Sequence, residues 1–580
     1  MITVFILVTA CLALLTGLGL PLARKLDQPV PETLFAAFLA GWGLAIAGLQ
    51  IWHLALPANG LALAALAAAS LAGWALYARP LAAWLRAQKS APRRTQVLVG
   101  GLGLLILGLL VNQALHSPSS YDHGLYHLPM VRWLQAYRIV PGLGNLHHRF
   151  AFNNASFLLV AALDSGPWRG LTYYTATTAI YAALALRGLL GAYRAARGSR
   201  SQREALYALL LPVTLWMAFR PEFEFAGYST DAAVFFLQAA LAAELLHAFE
   251  AADRPRPSRA VTLALLVFSA AVGLAVKASF AVFGLGMGLA ALWTWAGGPR
   301  PTRREAVSAL SRAVTLALLV LVPWLARHAL LSGYLLYPLT TFRLELPWMM
   351  PAAMADPIAG VISEWARHGY HMPVGTPFQE WFVWWLPRQM IEFRQSVPLA
   401  AGLLLLSLVL GRLPKARGIQ RRGPLALLII TAAGLAFWFT AAPSLRFSAA
   451  LPWLLPLIPL VMLVDQLREL EWLPAPEALP LLALLLVILW LQPRPTRNLS
   501  RAWFIVPPTE FELAARQRMY DPLRSAVTNS GLTVYLAADE HEELCFDQPL
   551  PCTRVNDFDP RLSLLHPGQL GDGFYMDLRP

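Results

Sequence analysis

The sequence predicts an all-α, polytopic membrane bundle of about 14 transmembrane helices, closed by a small α+β domain at the C-terminal end. Three observations predict it. The 580 residues are 57% hydrophobic and only 14% charged, against about 25% charged in ordinary soluble domains. Mean hydropathy is +0.52, and the apolar residues stand in unbroken blocks, as in a helix that is apolar all round. Blocks such as 2–20, 97–115, 260–276 and 425–441 reach or approach the roughly 20 residues that span a bilayer. Finally, the basic residues fall on alternate connections.

Taken in order, apolar segments are expected near 2–22, 34–56, 60–78, 97–115, 171–193, 205–219, 232–250, 260–276, 278–296, 313–333, 397–411, 424–441, 449–465 and 479–492. Arg24 and Lys25 follow the first segment, Arg79, Arg86, Lys89, Arg93 and Arg94 the third, and Arg194, Arg197, Arg200 and Arg203 the fifth. Arg254, Arg256 and Arg259 follow the seventh, Arg300, Arg303, Arg304 and Arg312 the ninth, and Arg412, Lys415, Arg417, Arg421 and Arg422 the eleventh. With this count all six groups share one side, which the positive-inside rule makes cytoplasmic. Residues 1–492 then form the membrane domain, with long outer loops at about 116–170 and 334–396, and 493–580 form an extracytoplasmic domain. In that tail Pro508–Asn529 reads as a helix and Leu532–Ala537 as a strand.

The formal net charge of +13 does not indicate nucleic acid. The tail holds nine arginines, no lysine and twelve acids, so the excess lies in the short connections of the membrane domain. Aromatics such as Trp348, Trp365, Trp381, Trp384 and Trp385 are expected anchors at the water interface. Phe378–Leu386 reads either as an amphipathic helix on the membrane surface or as a packing helix. There is no P-loop, dinucleotide-binding glycine pattern or nucleophile elbow, so neither ATP-driven transport nor dinucleotide chemistry has support.

The densest polar cluster, Ser120 to His127, follows the fourth segment, and Asn145 to Arg149 with Asn153 and Asn154 forms a second. Asp122 suits a general base that takes a proton from an attacking hydroxyl, a ligand of a divalent cation, or a plain helix N-cap. His123 and His127 are spaced i, i+4 and share a face on a helix, so that with Asp122 they are the candidate ligands if a divalent metal is used. Asp231, Lys277 and Arg446 stand at helix ends, where ionisable groups are costly. Lys277, Arg446 and Arg327 fall on the outer side, against the charge bias. They suit a lipid-linked phosphate or pyrophosphate, or else they snorkel from tight turns. Cys11 lies within the first segment. Cys545 and Cys552 lie in the outer tail, where disulfides persist, and a spacing that short lets their Cα atoms approach within about 7 Å; the alternative is two independent buried thiols.

An acidic residue in an early outer loop, about a dozen helices, outward cations and a soluble tail resemble the GT-C type of membrane glycosyltransferase. The stretches YDHGLYHLP (121–129), VPGLGNLHHRFAFNNASF (140–157), SGYLLYP (332–338), PSLRF (443–447) and CFDQPLPCT (545–553) resemble, more narrowly, a largely uncharacterised bacterial family of multi-pass membrane proteins. The broader resemblance implies a bacterial inner-membrane enzyme that takes a sugar from a polyprenyl-phosphate-linked donor. It implies an acceptor that is a glycan, lipid or protein outside the cytoplasm, and the alternating charge implies a periplasmic C-terminus. The resemblance further implies that Asp122, assisted by His123 and His127, is catalytic, while Lys277, Arg327, Arg446 and Asp231 bind substrate. In GT-C enzymes the acidic loop follows the first helix and pairs with a second acid; here it follows the fourth segment and its neighbour is His123. An oligosaccharide polymerase or ligase using the same donors fits the outward arginines as well. A transporter or lipid-handling protein is the reading without chemistry, and it favours discontinuous helices and repeats, which the sequence does not display.

Overall fold

The computed structural model describes residues 1–88, 93–116, 121–220, 227–251, 256–297, 301–389, 391–416, 421–472, 504–509, 512–513, 524–537 and 544–579. The chain opens with α1 (Ile2–Ala23), α2 (Val30–Trp52), α3 (Gly60–Gln88) and α4 (Arg93–Ala114). The first long connection holds α5 (Leu128–Ala136) and α6 (Ser156–Leu163), both too short to span. Then come α7 (Thr172–Ala196), α8 (Gln202–Ala218), α9 (Thr230–Glu250), α10 (Arg256–Val276), α11 (Ala281–Ala296) and α12 (Arg303–Ser332). A second long connection carries the hairpin β1 (Tyr334–Leu336) and β2 (Leu339–Arg343), followed by α13 (Ala352–Ala355), α14 (Pro357–His368) and α15 (Phe378–Trp385). The bundle ends with α16 (Ile391–Leu410), α17 (Arg422–Ala441), the single turn α18 (Leu445–Ser448) and α19 (Leu451–Glu469).

Among the described residues, 12 helices are long and apolar enough to cross a membrane, and the chain is a multi-pass membrane protein. The expectation was 14. Segment 205–219 is the helix α8, which at 17 residues is shorter than those 12. Segment 479–492 lies outside the described residues. α9 is the hub: it packs against α7, α8, α10, α11 and α17, and its apolar stretch is the most enclosed of the twelve.

The first three helices touch backbone to backbone. A Cβ on Gly19 of α1 would stand 1.9 Å from the Ala37 carbonyl oxygen of α2, and one on Gly41 of α2 would stand 1.8 Å from that of Leu15. In lipid, where tails are as apolar as leucine, such small-residue contacts replace the hydrophobic effect as the packing force.

At the end where the basic connections lie, charges that read in the sequence as a loop are folded into the bundle. Arg187 of α7 makes a bidentate pair with Glu204 of α8, both bonds 2.8 Å. Arg203 is only 5% exposed and bridges Glu204 at 3.0 Å and Glu244 of α9 at 3.6 Å. Arg194 pairs with Glu32 of α2. Three arginines and three glutamates thus clasp four helices.

The tail is a small β structure. β3 (Arg524–Val527), β4 (Thr533–Leu536) and β5 (Cys552–Thr553) form one sheet, β3 antiparallel and β5 parallel to β4; β6 (Leu562–Leu564) and β7 (Phe574–Met576) form an antiparallel pair. The strand expected at 532–537 is β4. The helix expected over 508–529 is corrected at its end: residues 524–527 are strand β3, because the left-handed Gly531 (φ 83°) lets the chain reverse and pair Arg524–Val527 with β4. Helix 508–529 otherwise falls mostly outside the described residues. The tail docks on the first long connection: Phe574 N–H donates to Pro141 O at 2.9 Å, and Thr553 Oγ1 to Leu146 O at 2.8 Å.

Candidate functional site

Asp122 immediately precedes a π-type turn, His123–His127, which runs directly into α5. Its side chain makes no cap to that turn. Instead Arg149 Nη1 donates to Asp122 Oδ1 at 2.8 Å and Arg446 Nη2 donates to Oδ2 at 2.7 Å. Arg149 comes from a short 3-10 turn, His148–Phe152, and Arg446 from α18. The tight turn between α17 and α19 therefore does not leave Arg446 snorkelling; it delivers the guanidinium to a carboxylate 324 residues away.

A second pair lies alongside. Lys277, where α10 ends, donates to Asp231 in the first turn of α9. Phe447 joins the two pairs, with Lys277 Nζ 4.2 Å and the Arg446 guanidinium carbon 5.1 Å from its ring centre. Trp365 of α14 faces Arg446 at 5.1 Å, and Tyr126 faces Arg149 at 5.6 Å. Such cation–π contacts add to the hold on each cation. The structure thus gathers Asp122, Asp231, Lys277 and Arg446 into one site and adds Arg149, three cations against two carboxylates. The Lys277, Arg446 and Arg149 side chains retain 21%, 20% and 27% exposure.

The electrostatics follow from burial and from these pairs. Burial acts to raise the Asp122 carboxyl, but the charges of Arg446 and Arg149 outweigh it and hold it below its ordinary value. Burial pushes both His123 and His127 down to about 3. Both rings are therefore neutral at neutral pH, and the two arginines are what keep Asp122 ionised. Burial, and then the Asp122 charge, raise the Tyr126 hydroxyl.

Among the described residues, His123, His127 and Asp122, the candidate ligands if a metal is used, do not converge as a group of donor atoms. His123 packs against Tyr173 and Tyr228, at ring distances of 4.9 and 5.3 Å, and His127 against Tyr126 and Phe157, at 4.4 and 5.1 Å. Both Asp122 oxygens are taken by arginine. Among the described residues, the group whose donor atoms do converge is His147, His148 and Asp557. His147 Nδ1 accepts the Arg149 amide N–H at 3.1 Å, so the neutral ring carries its proton on Nε2, which faces Asp557 Oδ2 at 3.5 Å. A metal ligand has the opposite arrangement, a lone pair toward the ion and an N–H toward a second partner. The trio is wired as a histidine–carboxylate contact between the loop and the tail.

Arg327 is also placed elsewhere. It is 1% exposed, donates from Nε to Asn153 Oδ1 at 3.0 Å, and places Nη1 2.7 Å from His53 Nδ1. It ties α12 to the end of α2 and to the first long connection. Cys545 and Cys552 are bonded, with Cα atoms 6.1 Å apart, and Cys11 is free and buried. The residue that sequence reasoning left out of the site is Arg149. Its signal was present in the second polar cluster, where an arginine follows two histidines.

A family profile described as a domain of unknown function, DUF8201, matches residues 1–453. The chain belongs to this family. No curated protein and no solved structure matches it. The DUF8201 match takes in all five charged residues of the site and ends before the disulfide loop.

Proposed function

We propose that this chain is an inverting glycosyltransferase of a bacterial inner membrane, moving a sugar from a polyprenyl-phosphate donor to a glycan, lipid or protein acceptor on the periplasmic face. The observation that carries the reading is the meeting of Arg149 and Arg446 on Asp122, with the Lys277–Asp231 pair joined to them through Phe447, at one end of an apolar bundle. A lipid-linked phosphate slides within the bilayer and presents its charge at the membrane face, where spanning helices end, and bidentate guanidinium groups suit it. The acceptor hydroxyl attacks the anomeric carbon, and the carbon–oxygen bond to phosphate breaks. The electron pair leaves with the phosphate, which the three cations stabilise as its charge develops. The proton passes to Asp122. For this the phosphate must first replace Asp122 on its arginines, releasing the carboxylate to act as base. Asp231 holds Lys277 in place. His123 and His127, neutral and packed among aromatics, shape the turn. Arg327, committed to Asn153 and His53, has no part in phosphate contact.

Polyprenyl phosphate, the common product whatever the sugar, tests the reading. Its affinity for the protein in lipid nanodiscs should fall about tenfold or more in Arg446→Ala, the loss of one charge-assisted contact. Unchanged affinity in both Arg446→Ala and Lys277→Ala would leave these residues as structural pins and end the proposal.

A further inference from the structure

The loop closed by Cys545 and Cys552 sits on the turn that follows Asp122. The Phe546 amide donates to Gly124 O at 2.8 Å. Its ring lies so close to Gly124 that a Cβ there would stand 2.5 Å from it. Phe546 itself is held at φ 42°, in the left-handed region that non-glycine residues disfavour. The next residue, Asp547, accepts from Arg132 Nε of α5 at 2.7 Å, one turn beyond His127. The disulfide closes this loop, and both cysteines are buried.

A π-type turn has a reason to need such support. It is rare, and it holds one residue more than an α-turn. If it relaxed to α-helix, everything before it would rotate by about 100° around the helix axis. Asp122 immediately precedes the turn, so relaxation would swing its carboxylate away from Arg149 and Arg446. We propose that the disulfide-closed loop is a positioning clamp: Phe546 on Gly124 and Asp547 on Arg132 hold the π-turn in register, so that Asp122 meets both arginines. The functional meaning of the clamp rests on the glycosyltransferase reading; the mechanical claim does not.

Hydrogen exchange of the full-length protein in nanodiscs tests it. In Phe546→Ala, and in the pair Cys545→Ala with Cys552→Ala, amides in a peptide spanning 121–132 should exchange about tenfold faster, while those of α9 (230–250) stay unchanged as a control for folding. Phe546→Leu, which keeps apolar bulk, should fall between. Gly124→Ala should also loosen the turn by forcing the ring away. Added to Phe546→Ala it should do nothing more, because the two act on one contact. Unchanged exchange at 121–132 in Phe546→Ala, or additive effects of the Gly124 and Phe546 substitutions, would overturn the clamp. Faster exchange in a protein that never binds polyprenyl phosphate would sustain the clamp and sink the functional proposal. Binding and transfer with an undisturbed turn in Phe546→Ala would do the reverse.

Discussion

Asp122→Asn should separate binding from turnover. On the proposed mechanism the resting carboxylate holds the place that the donor phosphate would take, with both oxygens engaged, at 2.8 and 2.7 Å. A phosphate that binds there must break both contacts. Hydrogen bonds to charged groups contribute roughly 1.5–3 kcal/mol each, and the Asp122 side chain is 12% exposed, so solvent weakens them little. Asparagine keeps the shape, loses the charge and offers one acceptor oxygen. Relieving about 1.5 kcal/mol of this competition should tighten polyprenyl phosphate about tenfold. The same change removes the base, and general-base catalysis contributes about 10²–10⁴ in rate. Isothermal titration of the nanodisc-embedded protein with polyprenyl phosphate gives the first number, and single-turnover transfer of a labelled sugar gives the second. Tighter binding with lost turnover is expected. Near-normal turnover would refute the base. Weaker binding would mean that Asp122 assembles the arginines instead of competing for them.

Four further outcomes are expected. The acid limb of kcat/KM, which reports the free enzyme, should lie below the ordinary aspartate value of about 3.9, and Arg149→Met should move it up by removing a cation that favours the ionised form; a limb that does not move would detach Asp122 from the rate. By the same sign, the stabilisation from this depressed carboxyl is present above about pH 3.9 and is lost as pH falls through the lower folded value. Arg327→Met should destabilise the fold by about 1–3 kcal/mol for each buried partner left unsatisfied, seen as a lower melting temperature with unchanged polyprenyl phosphate affinity; weakened affinity in a fully folded variant would return Arg327 to the site. Thiol labelling of unreduced, denatured protein should find one reactive cysteine, Cys11, and three would refute the bridge. Reporters fused after Arg203 or Arg422 should read as cytoplasmic and one after Pro580 as periplasmic, and a cytoplasmic tail would move the site to the wrong face.

The sequence makes the bundle legible because membrane helices advertise themselves locally: length, hydropathy and flanking charge are properties of contiguous residues. It marks Asp231, Lys277 and Arg446 as costly charges at helix ends, and Asp122 as the acid of a dense polar cluster, for the same reason. What it cannot show is who meets whom. Asp122 and Arg446 come together only because α18, the turn between α17 and α19, reaches the first long connection, and nothing near either residue encodes that. The i, i+4 spacing of His123 and His127 pointed to metal because it was read as a helical face shared by free ligands; in the fold the face is filled by Tyr173, Tyr228 and Phe157. Arg203 misled in the other direction. Next to Arg194, Arg197 and Arg200 it reads as loop charge, and only the facing Glu204 and Glu244 turn it inward.

The Arg187–Glu204 clasp also bears on how the chain is made. Each charge alone is expensive in a bilayer, on the order of 2.5–3.5 kcal/mol at its centre, and α8, at 17 residues, is a weak stop on its own. Joined by five residues, 197–201, α7 and α8 cancel each other's charge when they leave the insertion machinery side by side. They are therefore expected to reach the lipid as a hairpin, and a substitution at Glu204 should strand Arg187 during biosynthesis, lowering the yield of inserted protein before it ever affects the finished bundle.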